Sequence, residues 1–285
     1  MSRKLRFLII DGYPKASRDE LVAAGCSRAC DLYGRLVKRY CPGAEYDHLF
    51  PGDLENDLPT RTDLETYAGV LWTGCNLTIF DDQDRRVTRQ VDLAKTVYEI
   101  GIPQFGSCWG VQLAIYAAGG ICSPNPKGRE IGLARKITLT PDGRAHPMYD
   151  GKPAVFDGYI SHDDEVTHMP PGALHLAGNA WTKVQAVAVR HKNGSFWATQ
   201  YHPEYDLREI ARLIYCRAEK LIKYGFFQNR DEVDTLVARM EALQREPDRK
   251  DLRWSLAIDD DVLSDELRHC EFVNWLNHLV VPVAR

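Results

Sequence analysis

Three short runs constrain this chain more than any other feature. Residues 5–10 (LRFLII), 68–73 (AGVLWT) and 102–105 (IPQF) are continuous rather than alternating, and each is associated with a neighbouring stretch of helical spacing. A strand that alternates apolar and polar residues keeps one face in water. A strand apolar throughout is covered on both faces. The order strand, helix, strand, helix, strand, helix predicts a parallel sheet with helices on each side. The helices are expected at 17–40 (Leu21, Val22, Leu32, Leu36 and Val37 on the apolar positions), 87–100 and 109–118, the last stopped by Gly119-Gly120. A further short strand is expected at 44–49.

From about residue 130 the pattern changes. Strand-like pieces fall at 132–139, 154–160, 173–177, 184–190 and 195–201, then a helix at 206–223. Residues 228–285 are rich in charge, with helical spacing at 231–244 and 261–280. The polar, Pro-containing segment 245–251 (REPDRKD) joins the two. The expected division is a main domain, 1–227, and a helical C-terminal extension, 228–285. In the extension Phe272, Trp275, Leu276, Leu279 and Val280 make one apolar face. That face either packs on the chain's own domain or forms a homodimer contact.

A chain of 285 residues with a formal net charge of −4 and scattered Lys and Arg lacks the basic excess of a nucleic-acid binder. The apolar run at 5–10 is too short for a signal-peptide core, and no run approaches membrane-spanning length. We therefore expect a soluble, cytoplasmic protein with neither a nucleic-acid nor a membrane partner. Eight cysteines (26, 30, 41, 75, 108, 122, 216 and 270) include no CxxC pair. Reduced, mostly buried thiols are expected, with no metal site implied by ligand spacing.

One cysteine stands apart. Gly106-Ser107-Cys108-Trp109-Gly110 follows a strand and opens a helix. A strand that turns sharply into a helix lifts the turn residue's side chain clear of the backbone, and glycines on either side remove clashing side chains. The helix then points its free amides at that side chain, which favours an anionic sulfur. A thiolate nucleophile needs a base, and Thr199-Gln200-Tyr201-His202-Pro203-Glu204 supplies one at the end of an apolar strand. In an extended segment His202 and Glu204 project to the same side, so the carboxylate can orient the imidazole.

GSCWGVQ followed about ninety positions later by YHPE resembles the class I, triad-type glutamine amidotransferase family. Further matches point to its free-standing, GMP-synthase-like branch: Thr73 to Asp82 (TGCNLTIFDD), Gly119-Gly120, Gly128-x-Glu130-Ile131-Gly132, Ser161-His162-x-Asp164-x-Val166 and Pro170-Pro171-Gly172-Ala173. The resemblance covers roughly residues 5–225. It implies an α/β, flavodoxin-like fold with a mostly parallel central sheet and helices on both faces.

It also implies a Cys108, His202, Glu204 triad acting on a γ-carboxamide through a γ-glutamyl thioester, with no cofactor. Cys108 attacks, His202 acts as base and then acid, and Glu204 orients it. Oxyanion donors are expected from the amide of Trp109 and from that of Gly74 or Cys75. The family often has a second glycine where this chain has Cys75. Gln112, Ser161 and His162 are expected to frame the glutamyl part of the substrate. Trp72, Tyr201, Trp181 and Trp197 are expected in the core, and for Trp109 the core is favoured over the pocket mouth.

Three functions remain open at this point. A stand-alone hydrolase would cleave a γ-glutamyl amide whose amine is not ammonia. A glutaminase subunit would feed ammonia to a separate synthetase, since no P-loop or acceptor domain appears in the chain. A non-catalytic binding or regulatory protein would use the pocket alone. The self-contained chain with its own extension favours the first.

Overall fold

Phe7 and Ile9 point to one side of the first strand and Leu8 and Ile10 to the other, and all four are buried. Phe7 and Ile9 join one apolar cluster with Leu71, Phe105 and Trp197. Leu8 and Ile10 join a second with Val70, Trp72 and Val111. This two-sided burial is what a continuous apolar strand requires. A computed structural model describes residues 4–282 of the chain. Among them lie strands β1 (Arg6–Ile10), β2 (Glu45–Leu49), β3 (Gly69–Trp72), β4 (Gln104–Ser107), β5 (Ile121–Pro124), β6 (Glu130–Leu139), β7 (Val155–His162), β8 (Asp164–His168), β9 (Ala173–Gly178), β10 (Ala186–His191) and β11 (Gly194–Thr199).

The main sheet runs β2-β1-β3-β4-β11-β10-β9-β6-β7. Its first five strands are mutually parallel and the rest add antiparallel. β5 and β8, which the sequence reading missed, pair in a separate two-stranded sheet. The chain leaves β1 for β2 on one side and returns to β3 on the other, so the strand order reverses there. Open sheets of this kind bind ligands beyond the carboxyl ends of the parallel strands, near such a reversal. Thr73, Cys108 and Gln200 follow the carboxyl ends of β3, β4 and β11 directly or by one residue.

Helices Arg85–Ile100 and Trp109–Tyr116 cover one face, as expected. Helix Ala29–Tyr40 and the last part of the extension, Phe272 to Val280, cover the other. Several boundaries differ from expectation. The segment 17–40 is two helices, Lys15–Ala23 and Ala29–Tyr40, separated at Gly25, whose φ of 88° no helix accepts. The segment 206–223 is interrupted at Arg217, and 261–280 consists of short pieces ending in a π turn, Leu276–Val280. Part of the expected connector at 245–251 is helical, in Lys250–Leu256. Trp72, Tyr201 and Trp197 are buried, but Trp181 is 40% exposed, with its indole N–H on the carbonyl of Gly128.

The extension is built into this core. Phe272 and Trp275 are completely buried, and Leu276 and Val280 nearly so. The Trp275 ring lies 6.1 Å from that of Phe7 and 5.8 Å from that of Phe105. Such pairs add about 0.5–1.5 kcal/mol each beyond burial. The face that offered itself as a dimer contact is therefore turned onto the chain's own sheet. A buried ion pair, Lys152 to Glu271 at 2.8 Å, ties the extension in. Glu271 also accepts the Tyr201 hydroxyl at 2.5 Å. Among the described residues no helix is long and apolar enough to cross a membrane.

Candidate active site

β4 ends at Ser107 and the next helix begins at Trp109, so a single residue makes the turn. That residue, Cys108, has φ 53° and ψ −93°, a conformation that costs a non-glycine residue on the order of 1–3 kcal/mol. Its backbone is clamped: the N–H donates to Thr199 O at 2.7 Å and the carbonyl accepts from Val111 N at 3.1 Å. Gly106 answers why the turn needs a glycine. A Cβ there would lie 2.9 Å from Gly110 Cα and from Trp72 Cβ and O. The helix could not approach the strand so closely with a side chain between them.

His202 lies three residues past the end of β11, in a turn rather than the extended segment expected. The turn still brings the pair together: His202 Nδ1 meets Glu204 Oε1 at 2.7 Å, both buried. With Nδ1 so engaged, Nε2 is left for the sulfur. A Cβ at Gly74 would stand 3.7 Å from that Nε2 and 3.8 Å from Cys108 Cβ, so Gly74, His202 and Cys108 surround one point. Burial alone would lower the His202 pKa. The Glu204 charge and the hydrogen bonds to Cys108 and Glu204 outweigh it and raise the pKa to about 9. An imidazolium at neutral pH is a ready proton donor.

The support behind the pair was not legible in the sequence. Ser107 Oγ donates to Glu204 Oε1 at 2.7 Å and accepts the Tyr33 hydroxyl at 3.0 Å. Tyr205 stacks on the imidazole, with ring centroids 3.9 Å apart and planes 11° from parallel. Glu204 Oε2 is buried without a partner among the described residues. The carboxylate thus acts through one oxygen.

The expected oxyanion donors flank the thiol. The N–H groups of Gly74, Cys75 and Trp109 make no hydrogen bond among the described residues and are free to donate. Cys75 is no rival nucleophile. Burial pushes its thiol far up, and its sulfur donates to Gly12 O at 3.0 Å. The Trp109 side chain is not at the pocket mouth. It is buried, with its indole N–H on Gln90 Oε1 at 2.8 Å.

Cys108, Gln112, Ser161 and His162 line one small cavity of about 100 Å³, together with Arg129, Asp163 and Arg217. The Cys108 thiol donates to the Ser161 carbonyl at 3.7 Å. Ser161 Oγ receives N–H groups from Arg129 (2.8 Å) and Arg217 (2.7 Å). His162 spends both ring nitrogens on protein, with Nδ1 to Asp164 O at 2.7 Å and Nε2 to Glu130 Oε2 at 3.1 Å. It shapes the wall and is not placed to exchange protons. Elsewhere Cys30, Asp31 and His48 bring three possible metal ligands within 4.8 Å of one another. Both Asp31 oxygens already accept from Arg28, through Nε and Nη2, and none of the three lines this cavity.

A nucleophilic elbow, a base with its carboxylate and free amides around one point suit acyl transfer. The family model for glutamine amidotransferase class-I matches residues 80–216. The chain is 33% identical to a γ-glutamyl-L-1-hydroxyisopropylamide hydrolase from Pseudomonas sp, over 99% of this chain and 95% of that protein. It is 32% identical to the glutamine-hydrolysing GMP synthase of Nitrosomonas eutropha, over 60% of this chain but only 32% of that longer enzyme. Among solved structures, a glutamine amidotransferase from Thermotoga maritima superposes with a TM-score of 0.66 at 16% identity. The match covers 98% of this chain and 99% of that one, and it speaks for the fold alone.

Proposed function

The chain belongs to the class I glutamine amidotransferase family, and within it we propose a cysteine-dependent amidohydrolase that acts by itself on the γ-amide of a γ-glutamyl amide. The observation that carries this reading is the end-to-end match to a γ-glutamyl amide hydrolase, extension included. The relatives that synthesise GMP extend far beyond the matched region. Residues 1–227 then carry the chemistry and 228–285 brace it.

In this reading the Cys108 thiol first passes its proton to His202 Nε2, and the resulting thiolate attacks the γ-carbonyl carbon while the oxygen becomes an oxyanion. The N–H groups of Trp109 and of Gly74 or Cys75 receive that charge. His202 gives its Nε2 proton to the departing amine, leaving a γ-glutamyl thioester on Cys108. It next takes a proton from water, which attacks the thioester and releases glutamate. Glu204 holds the ring in the tautomer that presents Nε2. Gln112, Ser161 and His162 frame the glutamyl group.

The test is glutamate release from glutamine and from a panel of γ-glutamyl alkylamides and arylamides, with Cys108→Ala as control. Fast release from a substituted amide and little from glutamine supports the hydrolase. Release from glutamine alone refutes it and points to an ammonia-donating subunit with a separate synthetase.

A further inference from the structure

One charge in the cavity wall has no part in the chemistry above. Arg217 sits at the interruption between helices Leu207–Cys216 and Ala218–Lys223. Its guanidinium turns back to the sheet, with Nη1 on Ser161 Oγ at 2.7 Å and Nη2 on the Tyr13 hydroxyl at 3.5 Å. Both partners are neutral. Among the described residues Arg217 makes no ion pair, and Tyr13, Tyr205, Cys108 and the guanidinium of Arg129 are among the groups near its charge. Arg129 donates to the same Ser161 hydroxyl but is paired with Asp163. A guanidinium cannot shed its proton, and this half-buried one is partnered here by neutral groups alone. The Arg217 fork therefore suits an anionic ligand, and a carboxylate matches its geometry.

Its distance from the sulfur selects the anion. Ser161 links the two: its carbonyl lies 3.7 Å from Cys108 Sγ and its hydroxyl 2.7 Å from Arg217 Nη1. A γ-glutamyl chain has four C–C bonds of ~1.5 Å between the amide carbon and the α-carboxylate carbon, a span of ~5 Å. That is the scale of the single residue lying between thiol and guanidinium. We propose that Arg217 is a specificity-determining residue that binds the α-carboxylate of the substrate while Cys108 attacks its γ-amide. The assignment rests on the hydrolase reading. It makes a free α-carboxylate a requirement of the substrate class, whatever the amine.

The test compares a γ-glutamyl amide with the matching 4-aminobutyryl amide, which lacks only the α-carboxylate. Wild type, Arg217→Met and Arg217→Lys are assayed on both. Cys108 is separately alkylated with iodoacetate and with iodoacetamide. Arg217→Met should raise KM for the glutamyl amide about 10- to 100-fold with kcat changed about threefold or less. Discrimination against the 4-aminobutyryl amide and the iodoacetate-to-iodoacetamide rate ratio should fall with it, and Arg217→Lys should keep part of each. An Arg217→Met enzyme with wild-type KM and an unchanged alkylation ratio overturns the proposal. So does a wild type that cleaves both amides equally well, a result that needs no variant to fold. A wild type that cleaves neither amide refutes the hydrolase reading instead. The alkylation ratio then still decides whether Arg217 attracts a carboxylate to Cys108.

Discussion

Substituting Gly74 by alanine adds one methyl group at the point where nucleophile and base meet. Its Cβ would stand 2.8 Å from His202 Cε1, ~0.7 Å inside the ~3.5 Å at which two carbons rest. The backbone accepts alanine, because Gly74 is not among the positive-φ residues. The imidazole cannot yield freely. Glu204 holds Nδ1 at 2.7 Å and Tyr205 covers one ring face with centroids 3.9 Å apart. The strain is therefore relieved by shifting the ring or the Gly74 loop by several tenths of an ångström. A misplacement of ~1 Å in a reacting group costs ~100-fold in rate. We expect Gly74→Ala to lose about 30- to 100-fold in kcat/KM, about 2–3 kcal/mol of transition-state stabilisation, mostly in kcat. The N–H at position 74 is retained, so the loss reports misplacement of the imidazole or of the loop rather than removal of a donor. The assay is glutamate release from the best γ-glutamyl amide, with thermal unfolding alongside. A folded Gly74→Ala enzyme within about twofold of wild type would refute the reasoning.

Other outcomes follow from the same geometry. His202 has a pKa of about 9 in the folded chain against an ordinary 6.5. Its contribution to stability is therefore full below pH 6.5 and lost as pH rises through 9, and leaving-group protonation should fail over the same alkaline limb. Glu204→Gln removes the largest upward influence, so the alkaline limb of the kcat/KM profile should move to lower pH; an unmoved limb would detach Glu204 from the imidazole. Ser107→Ala strips Glu204 Oε1 of one of its two partners and should cost about 1.5–3 kcal/mol in urea unfolding, with a smaller loss of activity than Glu204→Gln. Trp275→Ala should cost about 3–5 kcal/mol of stability while leaving KM nearly unchanged; a melting temperature equal to wild type would mean the extension does not brace the sheet.

The proposed triad was legible in the sequence and the contacts that support it were not. Cys108 between two glycines and His202 two residues before Glu204 are local signals, set by backbone constraints within a few positions. Ser107 and Tyr33 are 74 positions apart and meet only because β4 passes beneath the helix Ala29–Tyr40. No periodicity marks such a pair. Arg217 escaped notice because a lone arginine in an amphipathic helix reads as surface until the helix is seen to break there. The apolar spacing of 17–40 continued across Gly25, so pattern favoured one helix where the positive φ at that glycine imposes two. Trp181 shows the converse error: its size argued for the core, while its indole N–H caps an exposed loop carbonyl.

The aromatic wedge of Phe272 and Trp275 has a consequence for synthesis. Translation proceeds from the amino end at ~5–20 residues/s, so Trp275 is made roughly 4–14 s after Glu204. For that interval the nascent chain carries thiol, imidazole and carboxylate on a sheet whose Phe7 and Phe105 flank is covered by helix Ala29–Tyr40 alone, with the side that Phe272 and Trp275 fill left open. That exposed apolar flank is a target for holdase chaperones, and it closes only once the wedge has left the ribosome.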